Sequence, residues 1–157
     1  MTADVAGALQ RPGGGDDSRP TVATGGTLFG NPLSMAAARA AMGEVLTDEA
    51  YARSQRGGDR LATGLEGVVA AAGLPWHVHR FWPRSGLSFT PARPRNGAEA
   101  VAALDVPLRR LMRVYLANRG VWEAIVGAGP TCSVAVDDED VDRYLAAFGD
   151  LVTELTN

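Results

Sequence analysis

The stretch Thr24-Gly25-Gly26-Thr27-Leu28-Phe29-Gly30-Asn31-Pro32-Leu33-Ser34-Met35-Ala36-Ala37-Ala38 decides how the rest of this chain is read. Glycines at 25, 26 and 30 let backbone N–H groups approach an anion without interference from a Cβ, and Thr24 and Thr27 add hydroxyl donors. Asn31 is a favoured helix N-cap and Pro32 a favoured first helical residue, so the loop feeds a helix whose N-terminus carries partial positive charge. A loop so built suits a phosphate contact. It lacks the Gly-Lys-Ser/Thr ending of a nucleoside-triphosphate loop. It also lacks the strand and spaced glycine triplet of a dinucleotide fingerprint. Taken alone, the same residues also read as a tight turn that admits a helix.

Upstream of this loop, Thr2 to Leu9 suit one or two amphipathic turns. Arg11 to Pro20 is a Gly- and Pro-rich loop, expected to be mobile in isolation. Downstream, a helix is expected from Pro32 to about Leu46. A second should begin at Thr47 or Asp48 and run to about Ala72, with a bend at Gly57-Gly58. Trp76 to Arg80 and Leu87 to Thr90 alternate apolar with polar and read as strands joined through Pro83-Arg84-Ser85-Gly86. Asn96 caps a helical stretch with Glu99 at the capping-box position, and Pro107 restarts it towards a stop at Gly120. Cys132 to Val136 reads as a third strand. Asp137, with Asp140 three residues on, opens a last helix whose Val141, Tyr144, Leu145, Phe148, Val152 and Leu155 recur at spacings of three and four. The order helix-helix-strand-strand-helix-strand-helix gives an α+β fold, with helices on one face of a short three-stranded sheet and the other face in need of a partner.

A chain of 157 residues fits one domain and can bury about two thirds of its unfolded surface. Apolar residues at 46% and charged residues at 21% place it among globular proteins rather than disordered ones. The net charge of −3 gives no electrostatic reason to expect nucleic acid; Arg109, Arg110 and Arg113 read as a solvated helix face. With one cysteine, Cys132, no internal disulfide can form, and no signal segment or membrane span is visible, so the expected location is cytoplasmic, with no membrane partner.

The segment Gly26 to Ala38 resembles the Gly-Thr-x-x-Gly-Asn-Pro-x-x-Met-Ala-Ala segment of class III aminotransferases, and within them the glutamate-1-semialdehyde aminomutases. Ala72-Gly73-Leu74-Pro75, Ser85-Gly86-Leu87-Ser88-Phe89, Asn118-Arg119-Gly120-Val121, and Ser133 followed by Asp137 to Val141 are similar, in order, to landmarks of the family's C-terminal domain. The resemblance covers about residues 20 to 155. It implies the small C-terminal domain of the type I pyridoxal-phosphate fold, with residues 1–30 a loop-rich remnant of the large cofactor domain and residues 31–157 the small α+β domain. It implies cofactor binding through Gly26, Thr27 and Leu28, the Thr27 hydroxyl reaching the phosphate of pyridoxal 5'-phosphate across a dimer, with Gly30, Asn31 and Pro32 setting the turn. No catalytic residue is implied within this chain.

The fifteen basic residues are all arginine. Pyridoxal-phosphate enzymes hold the cofactor aldehyde as a Schiff base on a lysine, and a guanidinium, which stays protonated, cannot replace that amine. In the family that lysine, the acid facing the pyridinium nitrogen and the glycine-rich phosphate cup lie upstream of the matched region. The expected function is therefore a fragment or split subunit of an aminotransferase or aminomutase, inactive alone. It would work with a companion large-domain chain or as a homo-oligomer, on a small amino-acid-like substrate. The alternative is a non-catalytic binding or assembly module that keeps the small-domain fold.

Other candidates are weaker. His77 and His79 share one face of a strand but are too few for a metal site, for which Cys132 would have to be the third ligand. Ser85 and Ser133 lack any nucleophile-elbow motif. Arg80 and Arg84 carry guanidinium forks suited to a substrate carboxylate, although an exposed loop arginine is the plainer reading. Phe81 and Trp122 are expected to pack rather than to bind.

Overall fold

A computed structural model of the chain describes Gly26, residues 29–123 and residues 129–157. It divides into two compact units, residues 1–42 and 43–157. The sequence expectations for residues 1–23 lie outside the described residues.

In the first unit, helix α1 (Pro32–Ala40) starts where the Asn31-Pro32 pair predicts. The Asn31 side chain accepts from the Ser34 N–H at 2.9 Å, and Pro32 occupies the first turn. The backbone then widens into a π-type turn, Ala41–Val45, around Gly43, whose low helix propensity weakens the ordinary ladder there. None of the residues of α1 is buried, and Leu33 is 80% exposed.

The second unit is built on helix α2 (Asp48–Ala71), capped by the Thr47 hydroxyl on the Ala50 N–H and begun with Asp48 and Glu49, which complement the positive helix end. It ends at Gly73, whose φ of +63° lets the Leu74 N–H reach the Val69 carbonyl. The expected bend at Gly57-Gly58 is absent, because α2 runs through both residues as one helix. Packing explains the glycines instead. A Cβ at Gly58 would come within 2.6 Å of the Pro83 Cα, and one at Gly57 within 3.3 Å of the Cys132 Cβ.

Strands β1 (His77–Phe81) and β2 (Arg84–Ser88) form an antiparallel hairpin with His77 opposite Ser88 and Phe81 opposite Arg84. The connection is therefore Trp82-Pro83 alone, and Arg84, Ser85 and Gly86, expected in the link, belong to β2. Proline fixes φ near −65° at the second turn position, which leaves the positive φ to the first, and Trp82 takes it at +56°. The expected third strand is reduced to one antiparallel bridge between Arg84 and Thr131, so the sheet has two strands among the described residues. The Ser85 N–H reaches the Pro130 carbonyl at 3.1 Å and the Cys132 N–H the Pro83 carbonyl at 2.9 Å. Beyond them the ladder stops. Pro130 has no N–H to give, and Ser133 to Val136 turn away through a Val136 N–H to Ser133 carbonyl bond.

Helix α3 (Gly97–Ala102) is capped by Asn96, and α4 (Val106–Ala117) by Asp105 with Pro107 in its first turn. Helix α5 (Asp138–Thr156) opens on the reciprocal Asp137–Asp140 capping box that the sequence foretold. Helix α2 packs against both strands and against α5, which also packs on α4. Phe148, Leu65, Leu116 and Val141 fill the centre, with Val78 entering from β1.

Gly58→Ala is expected to destabilise the chain by about 1–3 kcal/mol, since the new methyl meets backbone that cannot swing aside. Gly67→Ala, on the same helix with nothing within 4 Å of the new Cβ, should instead stabilise it by about 0.5–1 kcal/mol. Urea unfolding of the two variants measures both signs.

Candidate functional site

The candidate cofactor contact lies in the first unit. Gly26 is exposed, and its carbonyl accepts the Phe29 N–H at 2.9 Å. A Cβ at Gly26 would touch only the Phe29 ring, at an ordinary 3.6 Å, so packing among the described residues does not demand a glycine there. Gly30 has a φ of +68°, which does demand one, and Asn31 follows as the helix cap. Thr27 and Leu28, the other expected cofactor residues, lie outside the described residues. What is in place among the described residues is an exposed Gly26, a glycine turn at Gly30 and a capped helix start. These fit one phosphate contact. They do not include an amine to anchor a cofactor aldehyde, and the whole sequence has none but its N-terminus.

The remaining candidates lie in the second unit. His77 and His79 project from one face of β1, with Val78 buried on the other, as expected. Among the described residues no three of His, Cys, Asp and Glu gather closely enough to hold a metal ion. Cys132 is a core residue. Its carbonyl accepts the Ser54 hydroxyl at 2.5 Å, its N–H is spent on Pro83, and burial pushes its thiol pKa up, away from the reactive thiolate. Arg80 is committed within the chain. Its Nε and Nη2 grip the two carboxylate oxygens of Glu66 at 3.1 and 2.6 Å, and Nη2 also reaches the Thr63 hydroxyl. Arg84 donates from Nε to the Thr131 hydroxyl at 3.1 Å. The Arg80 fork is thus spent within the chain, while Arg84 is held through its Nε alone.

Phe81 and Trp122, expected to pack, are both exposed: Phe81 falls on the His77 and His79 side of the β1 alternation, and Trp122 lies after the Gly120 stop. Trp122 carries the Arg113 guanidinium over its ring at 4.4 Å. The structure adds two arrangements that single residues did not announce. Tyr144, buried on α5, donates its hydroxyl to Glu123 at 2.6 Å, and burial with that neighbouring charge holds its pKa well above the usual tyrosine value. Trp82 stacks on Tyr51 with ring centroids 6.0 Å apart and donates from its indole N–H to Gln55 at 2.7 Å. The Tyr51, Gln55, Gly58 spacing of four and three along α2 is the one signal that could have located this seat. A cavity of about 280 Å³, lined by Leu61, Val121, Trp122, Cys132, Val141 and Tyr144 among others, opens beside the Tyr144–Glu123 pair. It is mainly apolar and includes none of the expected cofactor residues.

No protein-family model matches the chain. Individual relatives do. It is 31% identical over 132 residues to glutamate-1-semialdehyde 2,1-aminomutase of Bacillus subtilis and 28% identical over 131 residues to beta-phenylalanine transaminase of Variovorax paradoxus. Each match takes in 83% of this chain, and the chain spans only 30% of the length of each relative. Crystal structures of a glutamate-1-semialdehyde aminomutase from Pseudomonas aeruginosa, one of them in complex with PMP, superpose with a TM-score of 0.79 at 34% identity. They cover 87% of this chain and 31% of theirs. In sequence and in fold, the chain corresponds to the C-terminal part of a class III pyridoxal-phosphate-dependent aminotransferase of the glutamate-1-semialdehyde-aminomutase-like kind.

Proposed function

We propose that this chain supplies the small-domain side of a pyridoxal-phosphate-dependent amino-group transfer, of the aminotransferase or aminomutase type, and that it has no such activity alone. The observation that carries the reading is the Gly26-Thr27-x-x-Gly30-Asn31-Pro32 segment opening α1 in a sequence without lysine. In this reading residues 1–30 belong to the large-domain side and residues 31–157 to the small domain, and a lysine-bearing large domain is the partner, within a homo-oligomer or as a companion chain. The substrate is a small amino-acid-like molecule.

Pyridoxal phosphate, when bound, supplies an electron sink and a carrier for the amino group. This chain's part is to bind and orient. Gly26 keeps the backbone open, Leu28 offers its N–H, and Thr27 offers a hydroxyl to the phosphate. Gly30 and Asn31 turn the chain so that the positive end of α1 follows directly. No proton transfer is assigned to any residue here. A second reading, a non-catalytic assembly module, is favoured by the exposure of Val106, Leu111 and Val114 along α4. A monodisperse monomer by light scattering, without binding of an apolar dye, would remove its support.

Mixed with pyridoxal phosphate and then borohydride, the purified chain should trap label only at its N-terminal amine. A stoichiometric adduct elsewhere in the peptide map would overturn the proposed division of labour. In an assembly with a lysine-bearing large domain, Thr27→Val should weaken cofactor binding about tenfold or more, the loss of one charge-assisted hydrogen bond of roughly 1.5–3 kcal/mol. The melting temperature of the isolated chain should change little.

A further inference from the structure

The cavity of about 280 Å³ beside the Tyr144–Glu123 pair belongs to the unit of residues 43–157 and takes no part in the proposed amino transfer. Leu61, Val121, Cys132, Val136 and Val141 give it apolar walls. Its volume falls just under the ~300 Å³ at which small-molecule sites usually begin, so it suits a single ring or a short chain. Among the described residues, three charged side chains line it: Glu123, Asp140 and Arg143. Two of these are engaged by the protein itself. Arg143 donates from Nη1 to Asp140 Oδ1 at 3.5 Å and from Nη2 to Glu139 at 3.4 Å, and Asp140 Oδ2 accepts the Asp137 N–H as half of the α5 capping box. Glu123 differs. Its Oε1 accepts the Tyr144 hydroxyl at 2.6 Å, while its Oε2 meets no hydrogen-bond or ion-pair partner among the described residues. The phenol is buried on α5, with a pKa raised well above the usual value by burial and by Glu123, so it stays a neutral donor that orients the carboxylate.

A half-buried carboxylate with one oxygen held and the other open, set in the wall of an apolar cavity, suits a cation whose body is apolar. Apolar walls in place of part of its water strengthen that attraction beyond what an exposed glutamate offers. Two arginines come near without neutralising it. Arg109 lines a smaller cavity of about 30 Å³ that shares Glu123 and Tyr144, and Arg113 lies over the Trp122 ring; neither forms an ion pair with Glu123. We propose that the larger cavity binds a small organic cation, one ring or a short chain bearing an ammonium or amidinium group, with Glu123 Oε2 as its charge partner and Tyr144 as the positioning residue. A carboxylate on the ligand would meet only Arg143, already engaged by Glu139 and Asp140, which separates this site from one for an amino acid. The site uses none of Gly26, Thr27 or Leu28, so it holds or fails independently of the amino-transfer reading.

Calorimetric titration of the full chain with benzamidine and benzylamine, against benzyl alcohol and benzoate at constant ionic strength, tests the assignment. Both cations should bind saturably at one site, about tenfold or more tighter than the alcohol, and benzoate should give no saturable heat. Glu123→Gln keeps an oxygen for the Tyr144 hydroxyl and removes the charge, so it should abolish the preference for cation over alcohol with circular dichroism unchanged. Asp150→Asn makes the same change of net charge on α5 outside the cavity lining and should leave binding intact. Val136→Phe, which puts a ring into the cavity, should weaken cations and alcohol alike. Tyr144→Phe should narrow the margin of cation over alcohol without changing alcohol affinity, whereas a merely structural tyrosine would lower both together. The proposal is overturned by an absence of saturable heat from either cation, or by a cation preference that survives Glu123→Gln. Saturable binding of benzoate as tight as that of the cations would also overturn it, assigning the recognition to Arg109 or Arg113 instead.

Discussion

Helix α2 can be approached at backbone distance only where it carries no side chains, and the unit of residues 43–157 is arranged around those places. The Trp82-Pro83 turn rests on Gly58, Cys132 on Gly57, and Leu145 of α5 on Gly64. Because the turn is seated against backbone, Pro83 presents its carbonyl to the Cys132 N–H, and the Ser54 hydroxyl one helical turn before Gly58 takes the Cys132 carbonyl. One strip of α2 thus fixes both the hairpin and the segment that leads into α5. The positive φ of Trp82 costs about 1–3 kcal/mol, and the same strip offsets it with a ring stack on Tyr51 and a hydrogen bond to Gln55.

The chemistry of the caps made the helices legible. Asn31, Thr47, Asn96 and Asp137 each cap as their sequence neighbours indicate, because a cap is a contact within four residues and needs no knowledge of the fold. The sheet was less so. Pro83 and Gly86 carry identical loop signals, yet Pro83 makes the turn while Gly86 lies inside β2, where it yields space to the His79 ring. The third strand failed for a related reason: an apolar run from Cys132 to Val136 is a local pattern, whereas a ladder needs N–H groups from both strands, and Pro83, opposite Cys132, has none to return. The glycine pair in α2 was misread as a bend because its causes, Pro83 some twenty-five residues beyond Gly58 and Cys132 some seventy-five beyond Gly57, are tertiary contacts that propensity cannot see.

For the candidate site the division is similar. The Gly26 to Ala38 segment announces itself through order and spacing, and the helix it opens stands where those residues put it. His77 and His79 could be placed on one face of β1 by alternation, and Val78 is buried on the other. Sequence reading found His77 and His79 too few for a metal site, with Cys132 as the needed third ligand, and in the structure Cys132 is a core residue whose backbone is bonded to Ser54 and Pro83.

The absence of lysine has different consequences for packing and for chemistry. The cationic tasks visible in the unit of residues 43–157 suit a planar fork. Arg60 bridges Asp138 and Asp142 across α2 and α5, Arg80 grips both oxygens of Glu66, and Arg113 and Arg119 lie over the rings of Trp122 and Tyr115. An ammonium group would serve each less well, having neither the paired donors nor the flat face. These pairs are half exposed, so each adds little to stability, but none suffers from the lack of an amine. Anchoring an aldehyde is another matter, since it needs a nitrogen that can lose its proton and attack, and arginine does neither at physiological pH. The same composition is therefore adequate for a scaffold and inadequate for the family's covalent step, which is why the proposed role ends at the phosphate and leaves the reacting carbon to a lysine outside this sequence.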